Sequence, residues 1–177
     1  MKHIWMVLML CASACFAMPV GTQAQEAPLK QTRSFSIAGQ IKRESVITMD
    51  SLNHYPLHAI GDVKVTNHLG EFQHQDDQLK GVLLKDILSH TELAASSPKL
   101  YSRFYFVCTG LDGYKVVYSW NELFNTETGN HVFIIMEKNG VKADKLPESI
   151  QMTSATDFKT GRRYLHNLDR IVVEEAK

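Results

Sequence analysis

Three short segments concentrate side chains that can hold a small molecule. They are Asp112-Gly113-Tyr114, Ser119-Trp120-Asn121-Glu122, and the stretch from Asp157 to Tyr164 that carries Arg162 and Arg163. Together they supply carboxylates, hydroxyls, guanidinium groups and an indole. A flat polar heterocycle needs this mix: an aromatic face against the ring, a carboxylate accepting from an amino-amidine edge, and donors to a carbonyl. Trp120, Ser119, Glu122, Asp112, Tyr114, Asp157, Arg162 and Arg163 are therefore the candidate ligand-binding residues. Each also has a structural reading. Asp112 suits a turn, Glu122 a helix cap, Trp120 a core position, and the arginines a solvated loop.

Other chemistries find less support. The eight histidines are scattered, and the one pair at i, i+4, His54 and His58, has Pro56 between them, which disfavours a helix there. No Cys-x-x-Cys, Gly-x-Ser-x-Gly or phosphate-cradling glycine pattern occurs. No metal site is expected. The 19 basic and 19 acidic residues balance, which argues against a nucleic-acid binder.

The chain starts Met1-Lys2-His3, followed by thirteen uncharged residues from Ile4 to Phe16. That run is shorter than the ~20 apolar residues of a membrane span, and it matches a signal-peptide core. Cleavage is expected after Ala24, with Ala17 as the other small-residue site and lipid attachment at Cys15 as a rival. The expected location is the periplasm. Residues 25–33 read as a flexible N-terminus and residues 34–177 as one domain. Cleavage at Ala24 leaves Cys108 as the single cysteine, so no disulfide can form within the mature chain. The Phe104–Cys108 run reads as a buried strand, which makes Cys108 a core residue.

The elements that must position the candidates are mostly short strands. Ser34–Gly39, Ser45–Met49, Asp62–Thr66, Leu100–Thr109, Tyr114–Tyr118, His131–Glu137, Glu148–Thr153 and Arg170–Glu174 carry β-branched or alternating apolar residues. Asp50 is expected to cap a short helix ending before Pro56, and Gly81–Leu88 to form an amphipathic helix. The polar stretch His68–Gln78 reads as a loop or an exposed hairpin. Asp112-Gly113 between two strand patterns predicts a tight hairpin. Ser119-x-x-Glu122 predicts a capping box, with a helix starting at Trp120. Ser154–Arg163 reads as a polar binding rim.

The order of these pieces resembles the molybdopterin-binding domain of the sulfite oxidase family. The resemblance rests on Ile47-Thr48-Met49 leading to Leu52, Gly81-Val82-x-Leu84-x-x-Ile87-Leu88, Asp112-Gly113-Tyr114, Ser119-Trp120-x-Glu122-Leu123, Arg163-Tyr164-Leu165 and Arg170-Ile171-Val172-Val173. It implies an α+β fold, with mixed β-sheets and short helices, over residues 34 to 175. Catalytic members of that family bind molybdenum through a cysteine upstream of the Gly-Val-x-Leu segment. Thr66 and Asn67 stand roughly at that place here, and neither hydroxyl nor amide replaces a soft thiolate. The resemblance then points to the non-catalytic periplasmic branch that binds free pterins. Its implied ligand is a reduced pterin, a tetrahydropterin of the monapterin or neopterin type. Its implied partner is the periplasmic domain of an inner-membrane diguanylate cyclase or phosphodiesterase, to which the protein relays a cyclic-di-GMP signal. In this reading the ring stacks near Trp120, Asp157 or Glu122 accepts from its edge, and Ser119, Arg162 or Arg163 donates. The alternative is a molybdopterin-dependent oxidoreductase subunit.

Overall fold

Alternation of apolar and polar residues makes the first strand, β1 (Ser34–Gly39), and turns Phe35 and Ile37 into the core. The structure, a computed structural model, describes residues 31–148 and 150–177. The leader, its cleavage sites after Ala24 or Ala17, and Cys15 lie outside the described residues. So does most of the 25–33 segment. Of it, Gln31 donates to the Leu146 carbonyl (3.1 Å), the Thr32 amide donates to Asn167 Oδ1 (3.3 Å), and the Arg33 carbonyl accepts from the Met49 amide (3.0 Å).

Two sheets organise the chain, the first mixed and the second antiparallel throughout. The strands of the first are β1, β2 (Ser45–Thr48), β5 (Phe104–Gly110), β6 (Lys115–Ser119) and β10 (Leu168–Glu175), in the order β2-β1-β10-β5-β6. Only β1 and β10 run parallel, with Ile37 opposite Ile171. The second contains β3 (His58–Thr66), β4 (Phe72–Leu83), β7 (Val132–Lys138), β8 (Val141–Lys142) and β9 (Gln151–Ser154). β4 covers one edge of β7, and β8 and β9 share the other.

The main core is formed by Phe35, Ile37, Phe104, Phe106, Cys108, Ile171 and Val173 from the first sheet, and Val82, Val132, Ile134 and Met152 from the second. Helices α2 (Leu84–Leu88) and α3 (Trp120–Phe124) add Leu84, Ile87, Leu88 and Leu123. β7 is buried on both faces: Ile134 belongs to this core, while Ile135 joins Val63, Val65, Leu79 and Tyr164 in a second, smaller cluster. A buried polar tie crosses that second layer. Tyr164 donates its hydroxyl proton to Asp76 Oδ2 (2.7 Å), Gln151 Oε1 lies 3.0 Å from the same hydroxyl oxygen, and Lys138 donates to that Gln151 oxygen at 3.0 Å.

Several expectations are corrected. Gly81–Leu83 is strand, because Lys80–Leu83 pair with β7, and the helix begins only at Leu84. Val82 and Leu84 both reach the core, so strand and helix periods fit this apolar run equally, and sheet pairing decides. His68–Gln78 is the hairpin alternative: β3 and β4 pair from His58/Gly81 to Thr66/Phe72. The strand expected from Leu100 starts at Phe104, since Pro98–Arg103 form a 3-10 helix. The first helix, α1 (Met49–Leu52), is capped by Thr48 and not by Asp50. Thr48 Oγ1 accepts from the Ser51 amide (3.1 Å), and Ser51 Oγ accepts from the Thr48 amide (2.7 Å).

Candidate functional site

Ser119, Glu122, Asp157 and Arg163 come together as one knot. The capping box of α3 forms as its sequence requires. Ser119 Oγ accepts from the Glu122 amide (3.1 Å), and Glu122 Oε2 accepts from the Ser119 amide (2.8 Å) and hydroxyl (3.0 Å). Arg163 grips Asp157 with both ends of its fork, Nε to Oδ2 at 2.6 Å and Nη2 to Oδ1 at 2.5 Å, and reaches Glu122 Oε1 with Nη1 at 3.2 Å. Ser154 Oγ donates to Asp157 Oδ1 at 2.7 Å. The guanidinium lies 4.7 Å from the Tyr118 ring centroid, in cation–π geometry. The Asp157 hydrogen bonds hold the Arg163 guanidinium charged well above its ordinary range. Burial keeps the Tyr118 phenol protonated, and its hydroxyl has no partner among the described residues.

Asp112, Tyr114 and Arg162 lie on a neighbouring rim. Asp112 Oδ1 accepts from the Tyr114 amide (2.9 Å), within the turn where Gly113 takes φ +82°. Tyr114 donates its hydroxyl to the Arg162 carbonyl (2.8 Å), and Arg162 donates to the His68 carbonyl from Nε (3.3 Å) and Nη2 (3.0 Å). The Ser154–Arg163 segment is already held in place. Thr160 Oγ1 accepts from the Thr66 amide (3.1 Å) and donates to the Lys64 carbonyl (2.7 Å). A Cβ at Gly161 would stand 1.8 Å from the Thr66 carbonyl oxygen, so only glycine lets the two backbones meet. These contacts fix the loop against the end of β3.

Trp120 faces elsewhere. Successive helical residues turn by about 100°, so positions 120 and 122 of α3 project to nearly opposite sides. Glu122 points to Arg163, while Trp120 packs on Tyr101 (5.5 Å between centroids) and Phe124 (5.4 Å, stacked). These rings line a cleft of about 310 Å³ with Phe106, Leu88 and Leu93. Its polar side is Ser89, Thr91 and Glu92. Backbone bonds from Lys42 N to the Glu92 carbonyl (2.8 Å) and from Ala94 N to the Gln40 carbonyl (3.0 Å) fix that side to the chain beyond β1. Lys42 binds the Glu92 carboxylate at 2.8 Å, and that hydrogen bond, helped by the lysine charge, holds the carboxylate pKa below the usual 4.5. Trp120 and the Asp157–Glu122 pair therefore lie on opposite sides of α3.

Tyr101, Phe124 and Glu92 were not singled out by the sequence. Phe124 carried a signal, since it follows Trp120 by four helical positions and shares its face. Tyr101 and Glu92 lie in a 3-10 helix and a loop with no local pattern to mark them.

The residues present do not fit molybdenum held by a protein thiolate. Cys108, the only described cysteine, has no exposed surface in the middle of β5. Burial pushes its thiol up to about 12. At the place the resemblance gives to the metal-binding cysteine, Thr66 Oγ1 is buried. Asn67 is engaged in its own turn, accepting from the Leu69 (2.9 Å) and Glu71 (3.0 Å) amides and donating to Glu71 Oε2 (2.7 Å).

No family model matches the chain, and no curated protein matches it in sequence. Among solved structures, the fold is similar to that of the sulfane dehydrogenase SoxCD from Paracoccus pantotrophus. The TM-score is 0.59 at 11% identity, over 82% of this chain and 40% of that chain. The likeness is one of fold, which is α+β as expected, with a mixed sheet, an antiparallel sheet and short helices. This chain spans less than half of a distant oxidoreductase neighbour.

Proposed function

We propose that this protein is a non-catalytic, periplasmic pterin-binding protein that takes a reduced pterin in the Trp120 cleft. The observation that carries this reading is the cleft itself. An aromatic wall of Trp120, Tyr101 and Phe124, with Ser89, Thr91 and Glu92 at its polar side, lines a volume of about 310 Å³. Small-molecule sites run from about 300 to 1,000 Å³ and pair apolar walls with a few polar groups. A tetrahydropterin lies against the aromatic wall. Glu92 accepts from its 2-amino and N3 edge, and the Thr91 and Ser89 hydroxyls meet its carbonyl or side-chain hydroxyls. Ser119, Glu122, Asp157 and Arg163 then act as positioning residues, fixing α3 and the loop behind it. Burial of the Cys108 thiol supports a non-catalytic role over a molybdopterin-dependent oxidoreductase.

Relay to an inner-membrane cyclic-di-GMP enzyme follows by analogy of fold. It requires that the partner bind the loaded and empty forms with different affinity.

Trp120 is the single tryptophan after residue 24, so its fluorescence reports on the cleft. Titration of the exported protein with tetrahydromonapterin is expected to quench it saturably, and Glu92→Gln to weaken the binding. Absence of quenching, or stoichiometric molybdenum in the purified protein, overturns the proposal. For the relay, cells carrying Trp120→Ala are expected to lose the pterin response of their cyclic-di-GMP level. An unchanged response removes that part.

A further inference from the structure

Four apolar side chains stand in solvent at one end of the molecule. Phe158 is fully exposed, Leu69 and Phe72 are each 62% exposed and Tyr114 45%. They come from three connections that are tied together: the β3–β4 hairpin tip, the β5–β6 hairpin tip and the loop after β9. The Arg162 guanidinium on the His68 carbonyl and the Tyr114 hydroxyl on the Arg162 carbonyl make the tie. The Lys159 stem packs over Gly70, where an added Cβ would meet Lys159 Cε at 3.5 Å.

The charges around these side chains are mostly positive. Lys159 and Arg162 lie on these connections and Lys64 and Lys115 lie beside them, against Glu71 and Asp112, while the Asp157 carboxylate is already matched by Arg163. Single apolar residues on a surface are ordinary. Four on adjoining, mutually bonded loops, rimmed by cations, form the kind of patch that marks a contact site. Aromatic and leucine side chains within a basic rim suit the headgroup region of an anionic bilayer. The rings and methyls enter the acyl boundary there, and long cationic side chains reach the phosphates.

We propose that this end is a membrane-contacting face, in which Leu69, Phe72, Tyr114 and Phe158 enter an anionic phospholipid surface and Lys64, Lys159 and Arg162 bind its phosphates. The pterin cleft lined by Trp120 and Glu92 shares no residue with this face. Failure of one proposal leaves the other standing.

The test is flotation of the exported protein with vesicles of phosphatidylglycerol and phosphatidylcholine in equal parts, and with phosphatidylcholine alone. Binding is expected to the anionic vesicles only, and to weaken as salt is added. Phe158→Asp is expected to lower the partition coefficient roughly tenfold or more, and Lys159→Gln roughly fivefold. The Phe158 side chain stands wholly in solvent, so thermal melting of its variant should match the parent. Three results overturn the proposal. Equal binding to phosphatidylcholine alone removes the role of the basic rim. Unchanged binding of Phe158→Asp places the attachment elsewhere, as a lipid on Cys15 would. No vesicle binding, together with a dimer that Phe158→Asp disperses, assigns the face to a second copy of the chain.

Discussion

The two sides of α3 differ in what their side chains still have to offer. On one side Glu122, Arg163, Asp157 and Ser154 bond to one another, and each carboxylate oxygen already accepts a hydrogen bond. On the other side Trp120, Tyr101 and Phe124 form the wall of an open cleft, and Glu92 at its polar side is paired with Lys42, itself exposed. Residue types alone favour the first side as the binding site. The geometry favours the second, because a fully bonded polar group gains little by exchanging one partner for another. A knot of charged residues is thus a clamp here, and the open aromatic cleft beside it is the place for a ligand.

The largest expected effect tests the clamp. Arg163→Ala leaves Asp157 and Glu122 facing each other without their cation, and removes the guanidinium from the Tyr118 ring. Because Arg163 keeps 23% of its side-chain surface, solvent moderates the loss to about 2–3 kcal/mol. Urea unfolding measures it, and pterin affinity per folded molecule should be unchanged. A variant that unfolds normally but loses the ligand would move the site to the knot.

Trp120→Ala tests the other side. Loss of one aromatic stacking surface costs a planar ring about 1–3 kcal/mol, or roughly 5- to 150-fold in affinity. Calorimetric titration would read this in a variant that has no tryptophan signal.

A third prediction concerns Cys108, in the core beneath both regions. Its ordinary pKa is 9.0 and its folded value is raised to about 12. Between these, the unfolded chain releases the thiol proton while the folded chain keeps it, so stability falls as pH rises through that window. The slope from this group approaches about 1.4 kcal/mol per pH unit. Comparing unfolding midpoints of the parent and Cys108→Ala from pH 8 upward isolates it. Thiol reagents should label the native protein only as fast as it opens.

The smallest expected effect is at Glu92→Gln. It should weaken pterin several-fold, since an amide oxygen still accepts one hydrogen bond, and leave the unfolding midpoint unchanged, since surface ion pairs contribute little. If it changes stability and not affinity, the cleft has lost its polar anchor and the contrast between the two sides weakens.

Local chemistry was the legible part. The Ser119–Glu122 capping box, the Asp112-Gly113 turn, the alternating strand β1 and the apolar strands β7 and β10 all follow from interactions within a few residues, and all appear. Apolar runs were less legible. Gly81–Leu88 fits both periods, and only pairing with Phe133–Glu137 makes its first half a strand. The candidate residues were found as types but not as a group. Ser119, Glu122, Asp157 and Arg163 do converge. Trp120 departs because two steps around a helix reverse direction. Glu92 was invisible because its place depends on a bridge between Ile41 and Leu93, 52 positions apart.

By itself, then, the sequence determined the Asp112-Gly113 turn, the Ser119 cap, the strand faces and the buried thiol. Those depend on neighbours close along the chain and on the simple exclusion of apolar groups from water. Only the tertiary structure decided which polar groups satisfy one another and which stay open. That outcome turns on distances of a few ångströms between segments far apart in sequence, and hydrogen-bond energy falls away within such distances.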